Sequence, residues 1–142
     1  MANPEHLARL KQGAAEAWKH WNKANPSIQP GVEVWNQWRK ANPSIHPDLS
    51  KADLSKADLS GALLFNADLR WADLSEADLS AAILRDASLS GASLFMAELI
   101  QTHLCEASLI EADLSDANFQ RALFIKSDLR GALSFAKSLP WQ

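Results

Sequence analysis

Any chemistry in this 142-residue chain would have to come from four histidines, one cysteine and seventeen carboxylates. His6, His20, His46 and His103 are dispersed, and only His103 stands near Cys105. Two ligands fall short of the three or four that a zinc site needs, so the pair reads as chance neighbours. No acid, base and oxyanion donors accompany Cys105, which reads as a quiet surface or interface thiol rather than a nucleophile. The carboxylates recur in register, with Asp53, Asp73 and Asp113 in one series and Asp58, Asp78 and Glu98 in another. They lack the spacing of a calcium loop and read as a solvated face, with Lys51, Lys56, Arg70, Arg85, Arg121 and Arg130 interspersed to relieve repulsion. Gly13, Gly31, Gly61, Gly91 and Gly131 are isolated, so no phosphate-binding loop is present. These residues predict no catalytic group, no metal site and no cofactor; the chain reads as a non-enzyme.

The elements that position these residues follow from composition and repetition. With 47% hydrophobic and 22% charged residues, the chain has the balance of a folded domain. No apolar run approaches the roughly 18 residues of a membrane span. The start, Met1 to His6, lacks the basic and apolar regions of a secretory signal, and a single cysteine suits a reducing compartment. A cytoplasmic protein with no membrane contact is expected. A net charge of −3 argues against a generic polyanion binder, and direct nucleic-acid binding is not expected. The charge is uneven: residues 1–46 hold six Lys/Arg against three Asp/Glu, and residues 47–142 hold eight against fourteen. Four of the six tryptophans also lie in the first part. Two segments are therefore expected, a helical leader and cap over 1–46 and a repeat domain over 47–142.

From Pro47 to Gly131 the chain is seventeen consecutive five-residue units without an insertion. The third position is Leu in fifteen units and Phe in two, Phe119 and Phe124. Ala stands two residues earlier in fourteen, with Pro47, Thr102 and Ser127 as exceptions. A period of five fits neither regular element. In a strand, residues five apart point to opposite faces, and in a helix they are separated by about 500° of rotation. All the leucines share one interior only if the chain turns a corner in every unit. Four such corners close a square coil of about 20 residues, and stacked coils would sit about 4.8 Å apart. The outward slot before the central residue tests that closure. It holds Leu63, Ile83, His103 and Leu123 at successive steps of twenty, while the other three faces hold almost only Asp, Asn, Ser or Glu there.

Units such as Ala52-Asp53-Leu54-Ser55 in unbroken tandem resemble the pentapeptide-repeat family. That resemblance implies an all-β solenoid, a right-handed quadrilateral β-helix, here of about four to five coils with an N-terminal α-helical cap. The segment Val34-Trp35-Asn36-Gln37-Trp38-Arg39-Lys40-Ala41-Asn42-Pro43 is similar to leaders that precede such repeats in cyanobacterial members.

The leader is itself duplicated. Residues 14–30 align with 31–47 and are identical at ten of seventeen positions. Each copy predicts a short helix with two tryptophans three apart, ended by Asn-Pro. Pro4 suits the first turn of the earlier helix, whose stripe would be Leu7, Leu10, Ala14, Ala17, Trp18 and Trp21. The second helix, over about Val32 to Lys40, is expected to cap the first coil by burying Trp35 and Trp38 against Leu54 and its neighbours. One coil end does not need two caps. The first helix, with Leu7, Leu10, Trp18 and Trp21, therefore either lies over the solenoid or serves assembly, and the second is favoured. After Gly131 the register decays, and Phe135, Leu139 and Trp141 either cap that end or stack on another chain.

The sharpest functional feature is one apolar face. Leu63, Ile83 and Leu123 precede the central residue, and Phe65, Cys105 and Ile125 follow it. An aligned apolar patch marks a contact surface. Phe95, Met96, Ile100 and Ile110 are expected to add apolar surface near it. The expected function is a non-catalytic scaffold that binds a protein partner or a second copy of itself, with homo-oligomers expected. The alternative comes from the resemblance: some members mimic DNA and protect DNA gyrase from quinolones. Four to five coils span only about 20–25 Å, less than one turn of DNA, and Ser88, Ser93 and Ser108 interrupt the acidic series.

Overall fold

The computed structural model of the protein describes residues 30–133. The readings made on Leu7, Leu10, Trp18 and Trp21, and on residues 134–142, lie outside them. An α-helix, α1, spans Pro30–Ala41. Proline suits a first turn because its missing N–H would be unpaired there anyway. Glu33 in the first turn and Arg39 and Lys40 in the last complement the helix dipole. The helix stops at Asn42, whose backbone N–H and side-chain Nδ2 both donate to the Trp38 carbonyl, at 3.0 and 2.9 Å. Pro43 follows.

Beyond α1 the backbone winds in steps of twenty residues. Parallel bridges join Asp48 to Asp68, Asp53 to Asp73, Asp58 to Asp78 and Leu63 to Ile83, and continue in the same register to Asp113 and Leu133. Each straight run is so short that pairing takes the form of isolated bridges rather than extended strands. Around the first bridge, Leu49 N–H donates to the Asp68 carbonyl at 2.8 Å and Asp68 N–H donates to the Pro47 carbonyl at 2.8 Å. The same pair of bonds recurs along the coils, so each coil supplies the backbone partners of the next.

The corner between runs is a β-turn. Ala52 N–H donates to the Leu49 carbonyl at 3.1 Å, Ala57 to Leu54 at 3.1 Å, and so on through Ala132 to Leu129. The third residue of each turn has positive φ, 57–61° for the non-glycine residues from Lys51 to Lys126. A positive φ there alone marks a type II turn. The motif itself explains how the turn is held. Asp48 Oδ1 accepts from Ser50 N–H at 3.1 Å and from Ser50 Oγ at 2.6 Å, and Asp53 and Asp58 do the same with Ser55 and Ser60. Asx side chains stabilise turns in this way by satisfying a backbone donor two residues on. The Asp columns are therefore turn-forming acceptors as well as a solvated face.

Inside, the central leucines from Leu49 to Leu114 are 0–2% exposed, and the alanines beside the corners fill the narrower space. Two polar residues occupy alanine slots without leaving a donor stranded: Thr102 Oγ1 donates to the Leu79 carbonyl at 2.8 Å and Ser127 Oγ to the Leu104 carbonyl at 2.6 Å. Phe119 and Phe124 meet at 5.1 Å between ring centroids, tilted by 58°, within the favourable range for an aromatic pair. Among the described residues, no helix is long and apolar enough to cross a membrane.

Candidate interaction face

Each side chain of the apolar ladder is held in column by coil-to-coil bonds on either side. Ile83 N–H donates to the Ala62 carbonyl at 2.9 Å, while its own carbonyl accepts from Leu64 N–H at 2.8 Å. His103 and Leu123 repeat that arrangement in the next two coils, and the carbonyls of Arg85, Cys105 and Ile125 accept from Asn66, Asp86 and Glu106 at 3.0, 3.1 and 2.9 Å. The spacing of these groups is set by backbone, so the face is rigid.

The six expected face residues fall into two groups. At the N-terminal edge, Leu63 and Phe65 are half-buried and engaged by α1. Trp35 Nε1 donates to the Leu63 carbonyl at 2.9 Å. Asn36 makes a reciprocal pair, its Nδ2 donating to the Gly61 carbonyl at 3.0 Å and its Oδ1 accepting from Leu63 N–H at 2.8 Å. Arg39 Nη2 donates to the Phe65 carbonyl at 2.7 Å, and its Cζ lies 4.0 Å from the Phe65 ring centroid. In the coils above, the N–H and carbonyl of Ile83 and the carbonyl of Arg85 are paired by backbone of the adjoining coil; at Leu63 and Phe65 side chains of a helix take that place.

Further along the same face, Ile83, Arg85, His103, Cys105, Glu106, Ile125 and Lys126 line a groove of about 430 Å³. Ile83 and Cys105 are half-buried, whereas Leu123 is 43% and Ile125 65% exposed. The apolar character is strongest at the end away from α1. Arg85 reaches Asp86 at 3.4 Å, and both are solvent-exposed.

The four-sided geometry corrects the reach of this patch. Phe95 and Met96 are 38% and 48% exposed, but they follow Leu94, whose column is that of Leu74 and Leu114 on another side. Ile110 follows Leu109 on a third side, and only Ile100 stands at the corner entering the ladder. Sequence proximity suggested a wider patch, although the twenty-residue period already sets Phe95, Met96 and Ile110 on other sides.

Trp35 is 4% exposed and joins the core, and Trp38 is half-buried against it, their rings 5.2 Å apart. The polar residues beside them, Asn36 and Arg39, escaped the sequence reading. Arg39 is fully buried, and its Nη1 donates to the Ile45 carbonyl at 2.6 Å, so its charge is met by carbonyl oxygens. Burial pulls the guanidinium below its ordinary pKa. A signal existed in the duplication, where Asn36 and Arg39 stand opposite Lys19 and Asn22 at two of the seven divergent positions.

His103 and Cys105 both border the groove. Among the described residues, no group of three or more His, Cys, Asp or Glu side chains is placed to hold a metal ion.

The sequence matches the family described as "Pentapeptide repeats (8 copies)" over residues 48–80, 62–95, 72–109 and 97–133, more than half of the chain. A crystal structure of a pentapeptide repeat protein from the cyanobacterium Cyanothece 51142 is similar at 33% identity and a TM-score of 0.63, over 65% of this chain and 63% of that one. A pentapeptide repeat protein of the Arabidopsis thaliana thylakoid lumen is similar at 29% identity and a TM-score of 0.58, over 60% of this chain and 59% of that one. The chain thus spans less than two thirds of the length of these two structures. No curated protein matches the sequence. Both similar structures share the tandem five-residue architecture derived above, and the chain belongs to the pentapeptide-repeat family, with the solenoid fold of its relatives.

Proposed function

We propose that the protein is a non-catalytic scaffold that contacts a protein partner or a second copy of itself through the apolar end of this ladder. In this reading it is a right-handed quadrilateral solenoid of four to five coils, capped at its N-terminal edge by α1, with a leader over 1–46 and a repeat domain over 47–142. The observation that carries the reading is an apolar column aligned over successive coils, with Leu123 43% and Ile125 65% exposed beside a groove of about 430 Å³. Aligned exposed apolar groups on a rigid surface mark contacts. The cytoplasm is the proposed compartment, consistent with a single free cysteine.

The test is the double variant Leu123→Glu with Ile125→Glu. Both side chains are exposed, so the fold and its melting temperature are expected to survive. Self-association by sedimentation equilibrium, or retention of a protein by the immobilised chain, is expected in the wild type and lost in the variant. Equal association by the two proteins overturns the reading. The DNA-mimic alternative gains no second observation, because the bridge column from Asp68 passes through Ser88 and Ser108 and the column from Asp73 passes through Ser93.

A further inference from the structure

We infer that the apolar ladder pairs with the same ladder of a second copy, in antiparallel orientation, about a two-fold axis at the level of Cys105. The second copy is then the partner on the proposed contact face, and the pairing rests on that reading.

The face is bounded by two corners that differ in charge. On the exit side the corner residues are Asp86, Glu106 and Lys126 in successive coils, all exposed at φ 57–60°. On the entry side they are Ala81, Gln101 and Arg121, also exposed. Coil-to-coil bonds hold both columns in register, as Asp86 N–H donates to the Cys105 carbonyl and Ala81 N–H to the Ile100 carbonyl. Between the corners the surface changes in height. Ile83 and Cys105 are half-buried at the groove, whereas Leu123 and Ile125 project at 43% and 65% exposure. A projection, a recess and a rim of both signs thus lie on one face. An isologous contact needs such a face, because each residue must suit its counterpart reciprocally.

Two copies can meet face to face with their solenoid axes parallel or antiparallel. The parallel pair keeps each coil at its level and exchanges the two rims, so Lys126 meets the partner's Arg121 at both edges. Like charges juxtaposed there disfavour that arrangement. The antiparallel pair keeps each rim on its own side and reverses the order of the coils. With the axis at Cys105, Lys126 faces the partner's Asp86, and Arg121 faces the partner's Ala81, which is uncharged. Leu123 then lies over the partner's Ile83, so the projecting end of each copy enters the recess of the other. Ile125 meets the stem of the partner's Arg85, a residue whose Nε lies 3.4 Å from the Asp86 carboxylate of its own chain. The two Glu106 side chains meet at the axis, each one coil, about 4.8 Å, from the Lys126 of its own chain.

Charge reversal separates the two orientations. Sedimentation equilibrium is run on the full chain, on Lys126→Glu, and on Lys126→Glu with Asp86→Lys. Lysine and glutamate already occupy such corners at Lys51, Lys56, Glu76 and Glu111, with φ 58–60°, so the fold is expected to stand in both variants. The wild type is expected as two chains, its dissociation constant raised about tenfold by Lys126→Glu and restored by the second change. A short bis-maleimide is expected to join Cys105 to the partner's Cys105 in the wild type and far less in Lys126→Glu. A wild type of one chain at every concentration overturns the pairing. Tighter association of Lys126→Glu overturns it by pointing to the parallel pair, and equal association of all three proteins overturns it by removing the rim. A single-chain wild type that retains another protein, with that capture lost in Leu123→Glu with Ile125→Glu, overturns the pairing while the contact-face reading stands. Self-association that persists in that double variant overturns both.

Discussion

The guanidinium of Arg39 lies 4.0 Å from the ring centroid of Phe65 while its Nη2 donates to that residue's carbonyl at 2.7 Å. One side chain thus engages both the backbone carbonyl and the ring of Phe65, across twenty-six residues of sequence. It is fully buried and also holds the Ile45 carbonyl at 2.6 Å, tying the helix, the connecting segment and the coil together. Arg39→Ala leaves these carbonyls without that donor and is expected to cost about 3 kcal/mol. Arg39→Lys keeps the charge but not the fork or the stacking plane, and most of the loss should remain. Urea denaturation followed by circular dichroism measures both; a loss below 1 kcal/mol for the alanine variant contradicts the assigned role.

Exchanging the contact residues of α1 for those of the first copy should detach it. The double variant Asn36→Lys with Arg39→Asn removes the partner of Leu63 N–H and the donor to Phe65. The expected outcome is a red-shifted, more quenchable tryptophan emission as Trp35 gains solvent, with repeat circular dichroism largely retained. An unchanged spectrum would show that Trp35 and Trp38 alone hold the helix.

The corner residues carry backbone strain that glycine relieves. Ala81 is exposed at φ 60°, a conformation costing an L-residue about 1 kcal/mol, so Ala81→Gly is expected to raise stability by about that amount. Gly91 gives the opposite case. At φ 69°, an added Cβ would lie 2.3 Å from Cε3 of the Trp71 ring, so Gly91→Ala meets both strain and a clash. A loss of about 2 kcal/mol is expected, falling to about 1 kcal/mol in a Trp71→Ala background. Additive effects in that double-mutant cycle would mean that the indole does not rest on this corner.

The Asp128 carboxyl is held below its ordinary range, first by the side-chain hydrogen bond from Arg130 and then by that residue's backbone N–H. A depressed carboxyl contributes stability above its unfolded pKa and loses it as pH falls through the folded value. Asp128→Asn should therefore shrink the drop in melting temperature between pH 7 and pH 2. The wild type and variant should converge at the acid end, since the pair is exposed and only the ionised form gains from Arg130. Parallel curves across the whole range would show that the pair does not couple to folding.

Much of this protein was legible in its residues. A leucine every fifth position can face one interior only on a chain that turns in every unit, and the recurrence of Leu63, Ile83, His103 and Leu123 set the coil at twenty residues, the step at which the bridges form. The aspartates were legible as surface groups but not as turn acceptors, because a carboxylate beside a serine has no visible partner until the turn brings the backbone to it. The ladder could be listed from sequence, yet its division into an edge engaged by α1 and an open groove could not. Residues of one column look equivalent along the chain, and what distinguishes Leu63 from Ile125 is which element lies over each.

The repeat by itself determined the inward set, the period and the family, because each depends only on spacing along one chain. The tertiary structure decided the roles of Asn36 and Arg39, the engagement of Leu63 and Phe65 by α1, and the location of the groove. These depend on how a helix sits on a coil and on what it leaves open. Contacts between positions more than twenty residues apart have no signature in local pattern; they arise only when backbone groups at a coil edge need partners and nearby side chains supply them.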